Sequence, residues 1–531
     1  MNDQIEERDD FFLEVTRRDL LKGAGALAAS LGLASLGPVA ASAAVAPKKG
    51  GTLKVGIVGA TTDIIDGQYL VSLPDILRLN IGWEAMMNYD DKFQASTEHG
   101  LAESVELVNP SKYIVKMKKG VVFHNGKTMT MEDVIYSWQR LVDPKLPGTK
   151  AMAASISPTG VKKLNANTVE MNLNKPDVEW VYRLCSYANS IVPVGYTRTG
   201  PQVGTGPFKL KSFTPGVEST HVRHKNYWDS GKPYLDAIKV INFSGSDALV
   251  NALSAGQLDV AVNVPAALLP VIKRNKKLKV VSNSAGKIAP IVMPIDEAPF
   301  NDKRVRKALR MIIDRKKIIK QALSGQGTPA NDDFSPVDPN FNANGYRIKQ
   351  DVKGALALLK AAGYSKAKPL KFTLWASDDN YPEYAKAFAE QVNSLSGGVA
   401  KVEVGIPADF WDSKYMVKNV GAYTTYWNAK PYLVQVGQML DTYDETHISP
   451  KGVNTPYRRW FEQANAEPDP VKRRALVKKM QAYHHENGGY INAFFLNVLD
   501  AHTTKVQGIV QRPASLQLDT FGMHFKRVWK A

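Results

Sequence analysis

The stretch GVVFHNGKTMTMEDVIYSWQRLVDP, Gly120–Pro144, decides how the rest of the chain is read. Thr130 is placed to cap a helix, with Asp133 at the third helical position to return the hydrogen bond. Val134, Trp138 and Leu141 then fall on one face at helical spacing, the pattern of a helix that buries one side. Strand-like segments flank this helix at Tyr113–Met117 and Thr168–Leu173.

Outward from there the same alternation recurs. Leu53, Val55 and Ile57 alternate with smaller or polar residues in GGTLKVGIVGA, and further strands are expected at Ala237–Phe243, Lys279–Val281, Lys371–Trp375 and Lys401–Val404. Helices are expected between them. One is capped by Asn301 and carries Val305, Ala308, Leu309, Ile312 and Ile313. A second is marked by Val352, Ala355, Leu356 and Leu359 and stopped by Gly363, and a third runs from Pro470 to about Glu486. Strands alternating with helices indicate the α/β class. GTGPF, Gly204–Phe208, reads as a tight turn in which glycine supplies unusual φ angles.

The chain has 531 residues, too many for one ordinary domain, and its 44% apolar content is that of a globular protein. The formal charge is +17. Seven acids against four bases lie before residue 44, so the remainder carries +20. Such a balance is compatible with nucleic acid, an anionic membrane surface or acidic solutes. The bases are dispersed, the densest run KRNKKLK (Lys273–Lys279) is short, and no helix-turn-helix, zinc-finger or RNP pattern occurs, so no nucleic-acid partner is expected. The single cysteine, Cys185, excludes an internal disulfide and reads as a small buried residue.

The N-terminus reads as an export signal. Thr16-Arg17-Arg18-Asp19-Leu20-Leu21-Lys22 fits the twin-arginine pattern, a modest Gly/Ala-rich apolar stretch follows, and Ala41-Ser42-Ala43 offers the small residues of a cleavage site. A membrane anchor fits poorly: the segment is weakly hydrophobic and contains Pro38. Cleavage after Ala43 and export of an already folded protein by the twin-arginine translocase to the periplasm are expected. No cysteine there offers a lipid anchor.

Catalytic motifs are not evident. G-x-S-x-G and HExxH do not occur, and HHENGG (His484–Gly489) lacks the second zinc-binding histidine. His221 and His224 sit in a strand-like run where their spacing separates the rings. Ser284-x-x-Lys287 lacks the companion elements of penicillin-recognising enzymes. No cofactor is expected.

Five ordered segments resemble one family. They are Gly120–Pro144, VGTGPFKLKSF (Val203–Phe213), HKNYWDSGKPYLDAI (His224–Ile238), APFNDKRVRKALRMIIDRKKII (Ala298–Ile319), and SPVDPNFN with DVKGALALLKAAGY. Together they are similar to the bacterial extracellular solute-binding proteins of family 5, which serve peptide, opine and nickel ABC transporters. The resemblance runs from about Gly50 to Phe525. It implies a two-lobed periplasmic-binding-protein fold (type II, cluster C-like) with an extra subdomain inserted in lobe one. Lobe one would comprise 44–90, 204–295 and 501–531, the inserted subdomain 91–203, and lobe two 296–500. Crossovers near Pro294–Pro299 and Val498–Thr503 would form the hinge. The resemblance also implies a small-molecule solute held between lobes, ABC permease subunits as partners, and a monomer. Phe123, Trp138, Tyr227 and Trp228 would be core aromatics. Arg304 and Arg306 would lie exposed or cap carbonyls.

In such proteins a tryptophan near the end of a lobe-two strand, a few residues before a proline, lines the ligand cavity. TTYWNAKPYLVQ (Thr424–Gln435) puts Trp427 and Pro431 at that place. Peptide-binding members often carry an aspartate there, yet this chain has no acid between Asp412 and Asp441. It has Asn428 and Lys430, which points away from a peptide and towards a carboxylate-bearing or hydroxyl-rich solute such as an opine or a sugar–amino-acid conjugate. Lys430 faces either the solute or an acid such as Glu445 or Asp441. Trp427 and Tyr426 are candidates to stack on the solute, and their alternation sends only one into the cleft. Gln68 and Tyr69 are candidates from lobe one, and Glu445 is the candidate for an amine. A di- or oligopeptide binder, a secreted hydrolase and a basic envelope protein remain as alternatives.

Overall fold

The computed structural model describes residues 46–59, 63–69, 72–143, 145, 155–341, 348–376, 382–407, 410, 421–442, 447–449, 453–511 and 524–531. The expected signal segment, its cleavage site and Glu445 lie outside them. Among the described residues no helix is long and apolar enough to cross a membrane.

The helix at the heart of Gly120–Pro144 spans Met131–Leu141. Thr130 and Asp133 form the capping box, and Val134, Trp138 and Leu141 are buried. That face packs in one core with Tyr113, Val115, Val169, Met171 and Trp180. These come from a four-stranded antiparallel sheet ordered 102–109, 112–117, 168–173, 156–165, and from the segment that follows it. Cys185 is buried in the same core, as its sequence reading expects.

The remaining strands sort into two large mixed sheets inside the compact unit Pro47–Ala531. The first runs 278–288, 494–503, 260–261, 52–58, 237–243, 218–223, 208–214, with 327–329 added beside 494–503. Its central strand Thr52–Val58 is parallel to both neighbours and alternates buried Leu53 and Val55 with exposed Thr52 and Lys54. The second runs 400–405, 370–375, 422–424, 291–292, 490–491. Its parallel pair 370–375 and 400–405 is bridged by the helix Pro382–Leu395, as parallel strands require a crossover. The chain passes from the first sheet to the second between Ile288 and Ile291 and returns between Ile491 and Phe494. Both passages lie a few residues earlier than the Pro294–Pro299 and Val498–Thr503 expected from the resemblance.

Other expectations shift in detail. The helix expected to be capped by Asn301 spans Lys303–Met311, and Asp302 is the cap, accepting from the Arg304 amide. Arg304 is exposed beside Asp302 and reaches the Ala361 carbonyl. Arg306 is buried and donates to the carbonyls of Phe300, Asn487 and Gly488. The helices Val352–Ala361 and Pro470–Asn487 occur where expected, capped by Asp351 and Asp469.

Gly204 and Gly206 serve close approach; neither has a positive φ. A Cβ on Gly204 would collide with the Gly82 carbonyl oxygen, and one on Gly206 would lie 2.6 Å from the Gly82 carbonyl carbon. This contact holds GTGPF against the end of the helix Leu73–Gly82. There Thr205, Tyr227 and Trp228 all donate to the half-buried Glu84 carboxylate, at 3.0, 2.5 and 2.9 Å. Burial raises the Glu84 pKa, opposed by the nearby Lys526 charge and these donors. The resemblance-bearing motifs are therefore mostly architecture.

Candidate ligand-binding site

The short strand Ala422–Thr424 belongs to the second sheet, but the chain beyond it runs along the passage between sheets. The Thr425 amide donates to the Pro290 carbonyl at 3.1 Å. Trp427 and Ile288 then exchange both backbone hydrogen bonds at 3.0 Å. Residues 425–427 are thus fastened to the strand end that joins the two sheets. Pro431 closes the segment and precedes the helix Tyr432–Gly437, which runs on into a π-turn at Gln438–Thr442.

This fastening decides which ring is open. Tyr426 is 41% exposed, with the Lys287 ammonium 4.7 Å from its ring centroid. Trp427 is buried among Ile288, Phe334, Tyr423 and Tyr432. Of the two aromatic candidates, Tyr426 is the exposed one. Trp427 is chiefly part of the second sheet's aromatic core.

Asn428 is buried, and its side-chain oxygen has no hydrogen-bond partner. Ala429 packs into the core of the inserted sheet, so this loop is where the insert and the two large sheets meet. Lys430 is half-buried. Desolvation, helped by the like charge of Arg183, pushes its ammonium down to about 8. Among the described residues no carboxylate pairs with it. The Asp441 side chain and Glu445, the acids weighed as its partners, lie outside the described residues.

Gln68 and Tyr69 are placed elsewhere. The Gln68 amide donates to the carbonyls of Ser137 and Ser190 at 3.0 and 2.8 Å and accepts from Arg140 at 2.9 Å. It braces the first sheet to the insert, and every polar atom of its side chain is engaged. Tyr69 lies under the Arg198 guanidinium, 5.3 Å from its carbon to the ring centroid. Sequence reasoning missed Lys287 and Arg183, which approach Tyr426 and Lys430 from distant parts of the chain. Only the sheet passage and the insert bring them there, and no local pattern signals either.

A profile of the bacterial extracellular solute-binding proteins, family 5 (middle), matches residues 97–447. The chain belongs to this family. Among curated relatives, this family 5 protein is 30% identical over 301 residues to heme-binding protein A of Haemophilus influenzae. That alignment covers 51% of this chain and 55% of the relative, so the chain spans about half of that relative's length. It is 26% identical to the oligopeptide-binding protein AppA of Bacillus subtilis, covering 83% of this chain and 84% of the relative. In fold it is similar to the periplasmic binding protein AgaA of A. tumefaciens R10, solved in complex with agropinic acid. The TM-score is 0.74 at 23% identity, covering 91% of this chain and 99% of that one. The α/β chain thus has the two-lobed fold of family 5 solute-binding proteins.

Proposed function

We propose that this chain is the periplasmic substrate-binding component of an ABC importer, a carrier and not an enzyme. On this reading it captures a small polar solute with an anionic group and presents it to membrane permease subunits. The insert is then 91–203, and the boundaries between lobe one and lobe two fall where the chain passes between the two large sheets, at Ile288–Ile291 and Ile491–Phe494. The solute favours the shut state because it touches both lobes only there. The twin-arginine motif supports export as a folded protein, and the reading takes the carrier to act as a monomer.

The observation that carries the anionic character is Lys430: half-buried, desolvated, beside Arg183 and without a described carboxylate partner. A cation held this way gains most from an anion that enters and pairs with it. Lysine acts there as a point charge, with Asn428 and Tyr426 beside it for hydroxyls and an apolar or sugar face. Opine-like and sugar–amino-acid solutes meet these demands. A di- or oligopeptide is the second reading, favoured by the relation to an oligopeptide-binding protein over most of both chains.

Mass spectrometry of the solute released from the purified full chain tests this. An acidic small molecule is the expected result. Release of peptides alone would move the assignment to the second reading, and chemical turnover of the bound solute would remove the carrier assignment.

A further inference from the structure

A cavity of about 400 Å³ lies between the insert and the second-sheet helices. On one side are Lys175, Asp177 and Arg183. On the other are the helix Tyr432–Gly437, Leu440 of the π-turn, and the helix Pro456–Ala466. Its volume lies within the span of small-molecule sites, roughly 300–1,000 Å³. Lys430, Asn428, Tyr426 and Trp427 do not line it.

The lining is two-sided in chemistry. Leu433, Leu440 and Phe461 are buried and give an apolar wall. Arg458 gives the opposite character. Its Nε and one Nη are shielded from water and have no hydrogen-bond partner. Thr455, at the N-cap, accepts from the Arg458 backbone amide and so fixes the first turn that carries this side chain. Arg183, across the cavity, is held by Asp177 at 3.3 Å, and Glu462 is exposed at the rim. Guanidinium nitrogens shielded from water without a hydrogen-bond partner are costly, and a planar oxyanion is the partner that fits their fork.

We propose that this cavity binds an amphipathic organic oxyanion, with its carboxylate or phosphate on Arg458 and its apolar body against Phe461, Leu440 and Leu433. The site adjoins the segment around Lys430 through Arg183, but none of residues 426–430 lines it. Its occupant touches the insert and the second-lobe helices at once, so it favours the arrangement in which they meet.

The test is calorimetric titration of the full chain with 4-phenylbutyrate, phenyl phosphate, 4-phenylbutan-1-ol and 4-phenylbutylamine. At least one of the two acids should bind about tenfold or more tighter than the alcohol, the worth of a charge-assisted hydrogen bond. The tighter of the two identifies the head group. Arg458→Met should erase the preference for acid, and Arg458→Lys should keep part of it. Val434→Trp, filling the cavity from a half-buried position, should weaken the acid even if Arg458→Met fails to fold. Equal binding of acid and alcohol, tighter binding of the amine, an acid preference surviving Arg458→Met, or undiminished acid affinity in Val434→Trp overturns the proposal.

Discussion

Glu179 of the insert and Arg473 of the helix Pro470–Asn487 form an ion pair at 3.6 Å across the junction between the insert and the second-lobe helices. Beside it the Val178 amide donates to the Asn465 carbonyl at 2.9 Å. Both contacts exist only while insert and helices meet. Burial, reinforced by Asp338, raises the Glu179 pKa well above its ordinary value, although Arg473 opposes the rise.

A pH dependence of closure follows. In an open state Glu179 would titrate near an ordinary glutamate, about 4.3. In the closed contact it holds its proton more tightly. The charged form is therefore penalised only when closed, and closure weakens as pH rises from the ordinary value through the raised one. Small-angle scattering with bound solute should show the compact form favoured at pH 5 over pH 7.5. Glu179→Gln should flatten that difference.

Arg473→Met leaves the Glu179 carboxylate buried without its counter-charge. Closure should lose on the order of 2 kcal/mol at neutral pH, the cost of stranding a buried polar group. That is about thirtyfold in solute affinity. Unchanged affinity in the titration would show that the pair does not bear on closure.

Trp427 and Tyr426 should separate cleanly. Trp427→Ala opens a hole in a packed aromatic core and should destabilise the fold by about 3–5 kcal/mol in urea unfolding. Tyr426→Ala, at an exposed position over Lys287, should change stability by less than about 1 kcal/mol while weakening solute binding. A Trp427→Ala protein of near-normal stability would mean that its ring serves the solute more than the core.

Gly204→Ala forces a methyl group into the Gly82 backbone, which has no flexible end to move aside. A loss of about 1–3 kcal/mol or more in urea unfolding is expected. Gly195→Ala is different: a Cβ there meets nothing, and only its positive φ resists the change, so the effect should be smaller.

The local structure was legible where neighbours in sequence act on each other. Thr130 and Asp133 announce their helix, as do the apolar stripes of Val134–Leu141 and Val305–Ile313. The cap at Asp302 in place of Asn301 shows the limit, since two adjacent residues of equal capping ability are separated only by how the preceding chain arrives. The two-lobed arrangement was legible by resemblance and not by periodicity. The site was legible as a segment but not as a set of partners. Gln68 is polar and follows the first strand, yet the carbonyls of Ser137 and Ser190 consume it. Arg183 lies far from Lys430 in sequence, and only the packing of the insert brings their charges together. GTGPF was read for backbone freedom when its glycines answer a steric demand from Gly82.

The most direct test of the central claim is calorimetric titration of wild type and Lys430→Met with the solute released from the wild-type protein, repeated from pH 7 to 10. If the solute's anion pairs with Lys430, the substitution should weaken binding by at least about tenfold. Wild-type affinity should fall above pH 8, by up to about tenfold per unit, as the free ammonium loses its proton before the bound one does. Equal affinity in the variant, with a wild-type profile flat through pH 9, would contradict the assignment of Lys430 to the solute.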